Sequence, residues 1–180
     1  MTWQSSSWRT FHNRGEILRT VIATADDRQD GILPMDVAGV AETFGDELAL
    51  LGALQLRWHT RLSGRIEREL MTQPMDLEHA VVTAWRGAHD EMPGVRRIVD
   101  HYRSEPTDAA MAEAMAKATV KEHTMLAAMS GRSSVRDPSA ARVGEAIEQR
   151  ARRRREPGAH RADTGPHEGL LERIKAVLAA

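Results

Sequence analysis

The chain contains no cysteine in its 180 residues. That absence removes disulfide staples, thiolate nucleophiles and every zinc site built on sulfur. Apolar runs are also short, and none approaches the roughly 20 residues needed to cross a bilayer. The opening Met1–Ser5 lacks a basic flank leading into an apolar stretch, so no secretory signal is expected. These features suit a reducing cytosol, and a cytoplasmic location is the expectation. Lysine occurs only at Lys117, Lys121 and Lys175. With abundant alanine, this arginine bias fits a GC-rich bacterial genome.

Catalytic signatures are equally sparse. A di-iron bundle needs Glu-x-x-His pairs on two helices, and no such pair occurs. The adjacent Glu78-His79 and Glu122-His123 diverge by about 100° on a helix, so the two members of each pair point apart. The sequence has no His-Glu-x-x-His, no Gly-x-Ser-x-Gly elbow and no Gly-Lys-Ser/Thr loop. The expectation is a non-enzymatic protein without metal or cofactor.

What is present is helical periodicity, and sustained strand alternation is missing. With 41% hydrophobic and 28% charged residues, the chain reads as a globular all-α protein, a single bundle of about six to seven helices. Asn13-Arg14-Gly15-Glu16 reads as a capping box opening a helix through Ile17, Leu18, Val21, Ile22 and Ala25. Asp30-Gly31 marks the turn after it. A short helix carries Val37, Val40, Ala41 and Phe44 inward and ends at Gly45. Asp46 caps the longest helix, whose stripe is Leu51, Leu54, Trp58, Leu62, Ile66 and Leu70. After Gln73-Pro74, Asp76 caps a helix burying Leu77, Val81, Ala84, Trp85, Ala88 and Met92. Pro93-Gly94 precedes a short helix with Val95, Ile98, Val99 and Tyr102. Another runs from Pro106-Thr107 to about Ser130, and Asp137-Pro138 opens a last one to roughly Arg155.

Four regions follow: a helical body over 1–131, a basic helix over 132–156, a flexible Pro/Gly linker over 157–168, and an amphipathic terminal helix over 169–180. Residues 1–131 carry a formal charge of −5 and residues 132–180 carry +4, an asymmetry that points to acidic partners or nucleic acid.

Three sets of residues are candidates for function. Leu170, Leu171, Ile174, Val177 and Leu178 share one side of a helix too short to be stable alone in water. They must dock on the body, a second copy or a protein partner. Arg57, Arg61, Arg65 and Arg68 lie within roughly 80° on one helix, and Arg150 with Arg152, Arg153, Arg154 and Arg155 forms a basic run. Together these arginines are a candidate polyanion surface, or else side chains that pair with acids on neighbouring helices. Aromatic residues do not interleave the run, which disfavours single-strand stacking. Finally, Glu122 sits on an apolar seam between Met115 and Met125. It must meet an arginine at the bundle edge or face a methionine-lined ligand pocket.

Arg14 to Leu18, the short helix to Phe44-Gly45, and Met92-Pro93-Gly94-Val95-Arg96-Arg97-Ile98 resemble segments of TetR-type regulators. The resemblance covers about a third of the chain and lacks that family's recognition turn and Tyr-x-aromatic-Phe stretch. It implies a nucleic-acid-binding regulator as one alternative, and a ligand- or metal-binding bundle around Glu122 and His123 is another. The preferred reading is an adaptor or regulatory protein that binds a protein partner through the terminal peptide and arginine-rich surfaces, with homo-oligomerisation open.

Overall fold

Three aspartates set the starts of three helices. Asp46, Asp76 and Asp108 each accept a hydrogen bond from the backbone N–H three residues on, at 2.8, 3.0 and 2.8 Å, satisfying a donor that the helix leaves unpaired. In the computed structural model, which describes residues 3–153 and side chains from Asn13 onward, they open α3 (Glu47–Thr72), α4 (Leu77–Glu91) and α6 (Ala109–Met129). Around them lie α1 (Trp3–Arg28), α2 (Val40–Phe44), α5 (Pro93–Ser104) and α7 (Ala140–Arg152). The described residues contain seven helices and no strand, an all-α bundle.

Helix α5 has no side-chain cap of its own. Asp26 on α1 supplies one across the fold by accepting the Gly94 N–H at 2.8 Å. A Cβ at Gly94 would lie 2.0 Å from the Ala25 carbonyl oxygen, so glycine is what lets the two backbones approach. Gly144 on α7 meets α6 in the same way, with a Cβ falling 1.8 Å from the His123 carbonyl oxygen.

The most extensive helix pairs are α6 with α7 and α3 with α4, while α5 touches α1, α3, α4 and α6. Leu51, Leu54, Trp58, Leu62 and Ile66 of α3 are fully buried against Val81, Ala84, Trp85 and Ala88 of α4 and Val95, Ile98, Val99 and Tyr102 of α5. Burying side chains of this size contributes roughly 1.5–3 kcal/mol each.

The structure departs from the sequence expectations in several places. Helix α1 runs through Asn13-Arg14-Gly15-Glu16 without starting there. Asn and Gly each cost at most about 1 kcal/mol at a helix position, too little to force an end. Ala41 and Leu77 face outward. Ser139 occupies the cap position of α7, with Asp137 bonding its N–H and hydroxyl at 2.8 Å. Helix α7 is also part of the bundle rather than an appendage to it. Ala140, Gly144, Ile147, Glu148 and Ala151 form a buried stripe of mainly small residues against α6 and α4. Its arginines drew attention to the opposite face.

Candidate functional site

Where α5, α6 and α7 meet α3 and α4, the core is ionic. Arg96 is fully buried beside Glu122, also fully buried, and Glu148, 3% exposed. Burying even one of these charges is costly unless partners answer it. Arg96 Nη1 donates to Glu122 Oε1 at 2.7 Å, and Nη2 donates to Asp100 Oδ1 at 2.7 Å and Glu148 Oε1 at 2.8 Å. Glu122 Oε2 accepts from Trp58 Nε1 at 3.1 Å. Arg152 closes the cluster, donating from Nη1 to Asp100 Oδ2 at 2.8 Å and from Nε to Glu148 Oε1 at 2.9 Å. Arg103 Nη1 reaches both Glu148 oxygens at 3.2 Å, and its Nη2 lies 3.9 Å from Glu122. His123 Nε2 meets Glu148 Oε2 at 2.6 Å.

Aromatic faces complete the packing. The Arg96 guanidinium carbon sits 4.9 Å from the Trp58 ring centre and 5.4 Å from that of Trp85, and Arg152 lies 5.1 Å from Trp85 on its own account. The two indoles meet edge to face at 5.9 Å. Each such cation–ring contact adds on the order of 1 kcal/mol.

The three arginines Arg96, Arg103 and Arg152 face the three carboxylates Asp100, Glu122 and Glu148, so their formal charges cancel. Burial pushes the Glu148 carboxyl up, but His123 and the three arginines outweigh it and hold it well below its ordinary value. Burial acts on Asp100 in the same direction, and Arg152 and Arg96 reverse it to a net lowering. Desolvation works against the Arg96 charge, yet Glu122, Asp100 and Glu148 raise its pKa on balance.

A cleft of about 450 Å³ opens beside this cluster, lined by Arg103, Thr119, His123, Glu145, Gln149 and Arg152 among others. An anion entering it meets Glu145 and Glu148 together with the arginines, and a cation meets the reverse. Asp100, Glu145 and Glu148 against Arg103 and Arg152 leave the lining one acid in excess. Chemically, the arrangement clamps α5, α6 and α7 together.

The sequence-derived candidates fall out as follows. Glu122 does meet an arginine, but Arg96 at the centre of the bundle rather than one at its edge. The candidate pocket residues Glu122, Met115 and Met125 are placed as follows. Arg96 and Trp58 take up the carboxylate, Met115 is 3% exposed in the core, and none of the three lines either cleft described here. Arg61 and Arg65 both pair with Glu91, holding its carboxyl at about 2. Arg150 pairs with Glu78, and Arg152 belongs to the ionic core. Arg57, Arg68 and Arg153 are exposed, with no side-chain ion pair among the described residues. Arg154, Arg155, Leu170, Leu171, Ile174, Val177 and Leu178 lie outside the described residues, as do the side chains of Trp3 and Trp8.

Sequence reasoning passed over Arg96, Asp100, Arg103 and Glu148. One signal was available. Glu148 shares a helical face with Gly144, Ile147 and Ala151, just as Glu122 shares one with Met115, and two carboxylates on two apolar seams require buried cations between them.

A second feature lies at the other end of α4. Met71, Met75 and Leu77 at the α3–α4 turn are 84%, 95% and 38% exposed. Met75 and Leu77 border a cleft of about 710 Å³ that also takes in Glu78, Val82, Arg86, Gly131, Arg132 and Arg150. Arg132 and Arg150 both reach Glu78. Arg86 bonds the α7 end, donating from Nε to the Ala151 carbonyl at 2.9 Å and from Nη2 to those of Arg150 and Arg153 at 3.1 and 2.9 Å.

No family model, curated protein or solved structure matches the chain.

Proposed function

We propose that the chain is a non-enzymatic helical adaptor or regulatory protein that binds a protein partner through the apolar side formed by Leu170, Leu171, Ile174, Val177 and Leu178. The observation that carries this reading is how the arginines are used. Arg61, Arg65, Arg150 and Arg152 are spent on carboxylates of neighbouring helices. A phosphate backbone would have to displace those carboxylates, which removes much of the counterion-release gain that drives polyanion binding. Recognition through apolar area then has the stronger physical basis, and an amphipathic helix laid in a partner's groove is its usual form.

The test is affinity capture with the full chain and with a chain lacking residues 157–180, each checked by thermal melting. The reading expects one polypeptide, held by the full chain, to be lost on deletion, with little change in melting. Equal capture by both chains contradicts it. Tight duplex DNA binding by both would favour the nucleic-acid alternative instead.

A further inference from the structure

The apolar corner at the α3–α4 turn is the surface least explained by the bundle. Met75 stands almost wholly exposed, and Met71 and Leu77 stand beside it. Contiguous apolar surface of this kind marks a place where something docks. Methionine suits such a place because its unbranched chain adapts to what it meets.

The end of the described chain identifies the occupant. Helix α7 finishes at Arg152, and its last carbonyls are held by Arg86, which lines the same cleft as Arg150. Chain leaving Arg153 therefore starts at the cleft's edge. Sixteen residues separate Arg153 from Leu170, and a random-coil chain of that length would have a root-mean-square span of roughly 20–25 Å. Its effective concentration at the cleft is then in the millimolar range. A contact with a dissociation constant of that order suffices to seat it, and a second copy at micromolar concentration competes poorly.

The chemistry agrees. Wound as a helix, residues 170–178 put five aliphatic side chains on one side, with Arg173 and Lys175 flanking it. The cleft offers the exposed Met75 and Leu77 beside the nearly buried Val82; Glu78 on its wall is taken by Arg132 and Arg150, which leaves Asp76 as its carboxylate without a side-chain ion pair among the described residues. We infer that this cleft is the resting seat of the chain's own segment 169–178, which shields its apolar side until a partner takes it. The inference rests on the functional reading only in treating that side as a binding element.

Because the chain has no cysteine, the full-length protein with Gln73→Cys beside the cleft and Glu172→Cys on the polar side of the segment accepts two spin labels outside the proposed contact. Pulsed dipolar measurement on purified protein without any partner reads their separation directly. A dominant short distance is expected, unchanged over a tenfold dilution and lost when Met75→Asp and Leu77→Asp are added. A broad distribution typical of a free tail overturns the seat. A short distance that fades on dilution assigns the contact to a second copy, and one that survives the two aspartates moves it elsewhere; both overturn the proposal. Failure of partner capture would leave this result standing, and a free tail would leave partner capture intact, so the two ideas fail separately.

Discussion

Arg96 concentrates the energetics of the molecule in one side chain. Its guanidinium is answered by three carboxylates and two indole faces, so removing it strands Glu122 and Glu148 in the core. Arg96→Ala is expected to lower stability by about 3–5 kcal/mol, the usual cost of breaking a buried pair from one side, as measured by urea unfolding. The pH response has a definite sign. Glu148 and Asp100 have lowered pKa values in the fold, so their contribution is complete above the ordinary values of 4.5 and 3.8 and is lost as pH falls below them toward the native ones. Melting temperature should therefore fall steeply as pH drops below about 4.5. Glu148→Gln should flatten that fall even though it lowers stability at neutral pH. Asp26, which burial pushes up, acts in the opposite sense and cannot produce this profile. Charge on an apolar seam was the readable clue, since Glu122 stood out among methionines. Arg96 did not, because an arginine in the first turn of a short helix looks like solvated surface until the helices are placed around it.

At the scale of elements, Gly144 and Glu148 explain why α7 is structural. Gly144 lets α7 touch the α6 backbone at His123, and one turn later Glu148 inserts into the ionic core. Gly144→Ala should push the helices apart and destabilise the protein by about 1–3 kcal/mol, whereas Ala substitution at the exposed, unobstructed Gly52 of α3 should stabilise slightly. The same unfolding assay separates the two. Helix starts at Asp46 and Asp76 and the stripes of α3 and α5 were legible, because capping and 3.6-residue periodicity are local, whereas Pro106-Thr107 drew the start of α6 two residues ahead of its cap at Asp108. Position in the fold was not. Helix α7 carries its basic residues and its small buried residues on different faces, and composition alone averages them. Truncation after residue 139 should therefore abolish cooperative unfolding, followed by circular dichroism, because it leaves Arg96 and Arg103 without Glu148.

At the scale of the whole molecule, two kinds of unusual side chain stand in opposite places. Arginines hold helices together, and apolar area meets the outside. Deleting residues 157–180 should move the melting temperature by no more than about 4 °C, the shift expected from losing a contact worth about 1 kcal/mol in a domain of this size. Differential scanning calorimetry checks it. Fold class was accessible from the sequence because every segment carries the same period. Five aliphatic residues after a Pro/Gly stretch make a local pattern, whereas the cleft joins Met75, Val82, Arg132 and Arg150 from distant parts of the chain, and no local pattern links them.

The most direct measurement is the salt dependence of partner capture by the full-length protein. An interface made by Leu170, Leu171, Ile174, Val177 and Leu178 should hold its partner nearly unchanged as salt rises from about 50 to 200 mM, because apolar contacts release few counterions. A loss of about a thousandfold or more over that range, the response of a protein making several phosphate contacts, would show that the arginines carry binding and would contradict the account.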